Sequence, residues 1–416
     1  MDIAARFDRP LVRTHSRSTR YLLVELAAPA RERARPRPPL NLALVLDRSG
    51  SMSGEKLDLA RRAAGTLVRQ LSDEDRACVV TYDDEVSVVS PSVRLTSSAR
   101  ADLGRAIEGI RSGGSTNLSG GWLEGCRQVA EQQDGRGTID RALLLTDGLA
   151  NVGIVDQEEL CGHAAELRAR GISTSTFGIG ADYNEDLLRA MAEKGGGHYF
   201  YLRGAADLAP SFGQELGELL GTVARDVTVE VRAPGAAVAL LNDVPSEPVL
   251  GGVRVRLGDL ASREEKSLVV KVTTERSGAG ATVPVRATVT FRDPDDGGLR
   301  EREASAVNLR HADNREVDRQ PRDGRAQRAT GLLYAARARA ESVSLNRAGR
   351  YDEARRVLER TAGRIASYAG SDPELLAAVE GLRVAAPEFG VAMAAPALKE
   401  AAFESYRVSR SRRDYR

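Results

Sequence analysis

Apolar residues fall along this chain in two textures, which change over near residue 224. Before that point, continuous apolar runs alternate with stretches whose apolar positions recur every three or four residues. The runs at 40–47, 77–82, 139–146, 172–179 and 198–202 predict strands, the fullest of them buried on both faces. The intervening stretches at 56–71, 99–110, 157–168 and 184–192, and one through Trp122 and Val129, have helical spacing. In the first of them Leu57, Ala60, Ala64, Leu67, Val68 and Leu71 share one face. A tight turn at Asp83-Asp84 leads into a strand at 85–89, which predicts one hairpin and one antiparallel strand. Strand–helix alternation of this kind predicts an α/β fold, a doubly wound and mostly parallel sheet, trailed by a helix over about 207–223.

Beyond it the period becomes two. Alternation over 227–231, 253–257, 267–273 and 283–291, punctuated by Gly and Pro with no helical pattern between, predicts an antiparallel β-sandwich. A short apolar strand at 21–26 precedes the α/β segment, and a Pro/Arg-rich extended linker at 31–39 separates the two. This strand is expected to pair with the sandwich, so the α/β domain is inserted in the sandwich or precedes it. From Arg315 the composition turns to Ala, Arg and Leu. Helical spacing at 326–342 and 351–368, around a turn at 346–350, predicts a helical hairpin faintly similar to one tetratricopeptide repeat. The expected domains are 1–39, 40–224, 225–312 and 313–416.

At 416 residues and 42% hydrophobic content the chain is a multidomain globular protein. A net charge of +1 gives no global field for nucleic acid or an acidic membrane. Lysine occurs only at 56, 194, 266, 271 and 399, so basic charge is nearly all arginine. The C-terminal Arg407, Arg410, Arg412, Arg413 and Arg416 read as a small solvated tail. Cys78, Cys126 and Cys161 lack metal-ligand spacing and read as buried apolar side chains in a reducing compartment. No apolar segment follows Met1 and none is long enough to span a membrane, so the expected location is cytoplasmic.

The candidate chemistry sits where the first strand of the α/β segment ends. Asp47-Arg48-Ser49-Gly50-Ser51 places a carboxylate and two hydroxyls at a strand's carboxyl end, where open α/β sheets bind ligands. These are hard oxygen donors, suited to Mg²⁺ or a similar cation. Two later loops add to it: Gly113-Gly114-Ser115-Thr116-Asn117-Leu118, and Leu143-Leu144-Leu145-Thr146-Asp147-Gly148. Taken together, the three loops resemble the metal-ion-dependent adhesion site of von Willebrand factor type A (VWA) domains, over about residues 40–203.

The resemblance implies a Rossmann-like sheet and a metal held by Asp47, Ser49, Ser51, Thr116 and Asp147. The hydroxyls would be direct ligands, the aspartates would often act through water, and one position would stay open for a partner's carboxylate. It implies Mg²⁺, with Mn²⁺ or Ca²⁺ as alternatives. The layout is similar to bacterial relatives of the calcium-activated chloride-channel-like and inter-α-trypsin-inhibitor-like proteins. The resemblance also implies a non-catalytic scaffold that binds a protein presenting Asp or Glu, beside an AAA+ ATPase or Ser/Thr kinase. Two rivals remain: a metal-dependent hydrolase using Asp47, and a surface adhesin. Against the first, Ser49 stands where a phosphatase of the haloacid-dehalogenase type needs a second Asp. No Gly-x-Ser-x-Gly or phosphate-loop motif occurs, and His15, His163, His198 and His311 lack zinc spacing.

Overall fold

The computed structural model describes residues 1–31, 37–133 and 137–411. Part of the Pro/Arg linker and the tail arginines Arg412, Arg413 and Arg416 lie outside the described residues. The chain forms two compact units, one of Met1–Ala30, Ala224–Arg292 and Leu299–Arg416, the other of Arg31–Val223 and Asp293–Gly298. The first unit begins with strands β1 (Asp2–Phe7), β2 (Leu11–Arg13) and β3 (Ser18–Ala27).

The second unit holds the α/β sheet. Its strands are β4 (Leu40–Asp47), β5 (Arg76–Tyr82), β6 (Val86–Arg94), β7 (Ile139–Thr146), β8 (Ile172–Ile179) and β9 (Gly196–Leu202). Their spatial order is β6-β5-β4-β7-β8-β9, antiparallel only between β5 and β6. β4 and β7 are buried at every position because helices cover both faces, which is why they read as unbroken apolar runs. The helices are α1 (Glu55–Gln70), α2 (Ser97–Glu108), α3 (Leu118–Ala130), α4 (Gln157–Ala169), α5 (Glu185–Gly195) and α6 (Leu208–Leu220). Close approach of α3 to the sheet depends on a glycine: a β-carbon on Gly125 would lie 2.4 Å from Val45 Cγ2. Trp122 of α3 is fully buried and donates from Nε1 to Thr174 Oγ1 at 3.1 Å, a core anchor.

In the first unit, β10 (Thr222–Arg232), β11 (Ala236–Leu240), β12 (Ser246–Val249), β13 (Gly252–Ala261), β14 (Glu265–Thr274), β15 (Thr282–Arg292), β16 (Leu299–Glu303) and β17 (Val307–Ala312) follow. They form two further sheets with the N-terminal strands. One is β1-β3-β14-β11, and the other is β12-β13-β10-β15-β17-β2, with β16 also on β15. β1–β3, β3–β14, β14–β11, β12–β13, β10–β15, β15–β16 and β15–β17 pair antiparallel, and β17 and β2 pair over a short parallel stretch. β3 pairs along its whole length with β14, from Ser18 opposite Thr274 to Ala27 opposite Glu265. After a short helix α7 (Asn314–Arg319) come α8 (Gly324–Arg347), α9 (Tyr351–Ala369), α10 (Pro373–Phe389) and α11 (Ala395–Ser409). The helical spacing predicts only α8 and α9. They share one apolar cluster with the last two helices, in which Leu358, Ile365 and Leu382 are fully buried.

Candidate metal centre

β4 stops at Asp47 because the chain turns there: Arg48 N donates to Tyr82 O at 2.9 Å, and a short 3₁₀ turn at Gly50–Met52 follows. Asp47 Oδ1 accepts from Ser49 N–H at 2.8 Å, which folds the two hydroxyls back over the strand end. Asp47 Oδ2 accepts from the Thr146 hydroxyl at 2.6 Å. Ser49 Oγ lies 3.2 Å from Ser51 Oγ, and Ser51 Oγ donates to Asp147 Oδ1 at 2.7 Å. The other Asp147 oxygen holds the Lys56 ammonium.

The loop carrying Thr116 is tied to both neighbours. Gly50 N donates to Gly114 O at 2.9 Å and Gly113 N to Arg48 O at 2.7 Å. Asn151 N and Val152 N donate to Thr116 O at 3.1 and 3.3 Å. Asp83 braces the loop from below, accepting from Gly114 N at 3.3 Å and pairing with Arg48 at 3.1 Å. No side chain fits at position 113, where a β-carbon would lie 1.6 Å from Asp83 Oδ2. A β-carbon on Gly148 would lie 3.6 Å from Thr116 Oγ1 and 3.7 Å from Ser51 Oγ, so both hydroxyls border one small volume. Asp47, Ser49, Ser51, Thr116 and Asp147 are thus brought together.

The electrostatics of this cluster favour a cation. Asp47 is fully buried, and burial pushes its carboxyl up to about 6, against the pull of its bonds from Ser49 and Thr146. Among the described residues its hydrogen-bond donors are neutral. Asp147 already takes a tethered cation, the Lys56 ammonium. Two carboxylates and three hydroxyls around such a point fit a hard divalent ion.

A family model described as "von Willebrand factor type A domain" matches residues 41–214. The chain contains a von Willebrand factor type A domain. A stretch of 196 residues is 35% identical to the uncharacterized protein YfbK of Escherichia coli, covering 47% of this chain and 34% of that one. The uncharacterized protein sll0103 of Synechocystis is 29% identical over 292 residues, 67% of this chain and 68% of its own. The chain therefore spans about a third of the first relative and about two thirds of the second. A VWA protein of Catenulispora acidiphila has the same fold along nearly the whole length, with a TM-score of 0.73 at 21% identity, covering 98% of this chain and 96% of that one. VWA domains are commonly metal-dependent protein-interaction modules and are mostly non-enzymatic. Among the described residues, no helix is long and apolar enough to cross a membrane.

Thr146 and Lys56 contribute to the VWA centre although the sequence motif does not include them. Thr146 carried a signal, being a hydroxyl beside Asp147 at a strand end; Lys56 carried another, as one of five lysines in an arginine-rich chain. A second polar cluster lies toward the starts of β7–β9. Glu215 of α6 is fully buried; its Oε1 accepts from Arg141 at 2.7 Å and from Ser175 Oγ at 2.6 Å. His198 Nδ1 lies 2.9 Å from Glu215 Oε2 and 3.1 Å from Glu218 Oε2. His198, which the sequence presents as a packed or surface residue, joins α6 to the sheet. The signal was Arg141, a charge inside an apolar strand.

Proposed function

We propose that the VWA domain holds a divalent cation, Mg²⁺ first among them, through Asp47, Ser49, Ser51, Thr116 and Asp147, and through it binds an Asp or Glu side chain of a partner protein. The observation that carries this reading is the buried Asp47 carboxylate, served by neutral donors, beside an Asp147 that already takes an ammonium. The ion would supply positive charge with an open position, and the chain's own groups orient it. Contacts around the five residues are hydroxyls, carboxylates and one ammonium, a set that holds an ion better than it moves a proton.

The surface beside the site supports a protein ligand. On the loop after β7, Leu149, Val152 and Val155 are 50%, 36% and 56% exposed, and the Thr116 carbonyl holds that loop's backbone. Apolar side chains grouped beside a polar centre mark an interaction surface. The resemblance extends the proposal to a cytoplasmic scaffold working beside an AAA+ ATPase or a Ser/Thr kinase. Calorimetry with Mg²⁺ on the wild type and on Asp47→Ala tests the metal centre. The variant should keep its melting temperature and lose metal binding; unchanged affinity would sink the assignment. A pull-down with Mg²⁺ or chelator, using wild type and Thr116→Ala, tests the partner. Capture indifferent to both places binding elsewhere.

A further inference from the structure

The strand–helix side of the first unit contains a second candidate site, independent of the metal centre. On the paired strands β3 and β14, Tyr21 lies opposite Lys271. Tyr334 of α8 and Tyr368 of α9 close over the same face, and together they wall a cleft of about 490 Å³. This is the size of a small-molecule site.

The charge in the cleft is one-sided. Arg9, Lys271, Arg322 and Arg364 line it, against a single carboxylate, Asp8. That carboxylate is already engaged, accepting from Tyr21 N at 2.8 Å with Arg9 at 3.8 Å. Among the described residues no carboxylate forms an ion pair with Lys271, Arg322 or Arg364. Elsewhere in the same unit cations find partners readily, as Arg328 does with Asp372 at 2.7 Å and Arg254 with Glu230 at 2.9 Å. Arg20, which alternates with Tyr21 on β3, spends its guanidinium on the Leu11 and Thr19 carbonyls at 2.8 and 3.0 Å.

The aromatic side of the cleft is ordered. Tyr21 and Tyr334 stand edge to face with ring centroids 5.9 Å apart and their hydroxyls 2.7 Å from each other. The Arg364 guanidinium lies 6.0 Å over the Tyr334 ring. Several cations spread around one volume suit an anion with several charged groups, and Arg and Lys together are phosphate binders. We propose that this cleft binds a polyphosphate anion of small-molecule size, whether carried on a nucleoside or as an inorganic chain.

The test is calorimetry on the full chain with EDTA present, so that no divalent ion contributes through the VWA centre. ATP, tripolyphosphate and adenosine are the probes. ATP or tripolyphosphate should bind, adenosine alone should not, and added salt should weaken binding. In Lys271→Met/Arg364→Gln, which removes charge from two walls, affinity should fall about tenfold or more. Asp47→Ala should bind both probes as the wild type does. ATP binding more tightly than tripolyphosphate identifies a nucleotide whose base uses the tyrosines; equal affinity identifies the inorganic chain. Absence of heat from both at about 1 mM, an affinity limit far weaker than four cations should give, overturns the proposal. So does equal binding by the double variant with its melting temperature intact.

Discussion

The two ends of the parallel sheet treat buried charge in opposite ways. Toward the strand starts, Glu215 is fully buried and fully answered: Arg141, Ser175 and His198 converge on its two oxygens. At the carboxyl ends, Asp47 is equally buried and receives only neutral donors among the described residues. Leaving water costs both carboxylates; the first is met by a guanidinium, a hydroxyl and an imidazole, the second by neutral hydrogen bonds alone. The contrast separates a charge cluster that joins a helix to a sheet from one that we propose takes an ion from outside. It also predicts that mutation will act on different observables at the two ends.

The largest effect is expected at the answered end. Arg141→Ala leaves Glu215 buried without its guanidinium and should cost about 3–5 kcal/mol in denaturant unfolding. Asp47→Asn should cost far less and instead abolish the response of stability to Mg²⁺. Equal destabilisation by the two would erase the contrast.

Next in size is Asp75, a third buried carboxylate, which accepts from Arg37 and Leu40 N at 2.6 and 2.8 Å and from Ser72 N at 2.6 Å. Burial raises its pKa, but the bonds from Arg37, Leu40 and Ser72 outweigh this and hold it below the ordinary 3.8. Its contribution is therefore present above that value and lost as pH falls through the lower folded one. Asp75→Asn should cost about 1–3 kcal/mol at neutral pH and nothing at the acid end of a pH series of melts. A difference that persists unchanged into acid counts against the pairing.

Lys56→Gln sharpens the comparison from the other side. Without the ammonium on Asp147 the centre is short of one more cation, so Mg²⁺ affinity by calorimetry should rise roughly threefold to tenfold. A fall would make Lys56 a support of the ion and not its competitor. The smallest effect is expected of Leu149→Ser/Val155→Ser. Stability should stay within about 0.5 kcal/mol and metal affinity should not move, while metal-dependent capture of a partner weakens.

Much of the α/β unit was legible because its signals are local. β4 and β7 are unbroken apolar runs, and Asp47, Ser49 and Ser51 lie within one turn of each other in sequence. That Thr116 and Asp147 join them rests on family resemblance, since nothing local connects residues so far apart. Thr146, Lys56 and Asp83 escaped for the same reason: their roles exist only once three loops are stacked. In the other unit, β1 reads Asp-Ile-Ala-Ala-Arg-Phe and β16 Leu-Arg-Glu-Arg-Glu, neither with clean alternation, and each becomes a strand by pairing with β3 or β15. α10 has buried Leu375, Val379, Leu382, Ala386 and Phe389 at helical spacing, but Gly381 and Pro387 blur the pattern.

The pairing of β3 with β14 sets a timetable for synthesis. Thr19 meets Thr273, 254 positions later. At ribosomal rates of about 5–20 residues per second, β3 leaves the ribosome roughly ten to fifty seconds before β14 exists. During that interval Leu22, Leu23 and Val24 can pair only with β1, and the opposite edge of β3 stays open while Arg31–Val223 is emerging. Closing so long a loop is slow, and an open apolar strand edge invites the wrong neighbour. Until residues 265–274 emerge, the β14-facing edge of residues 18–27 is therefore exposed to whatever in the cell binds open strand edges.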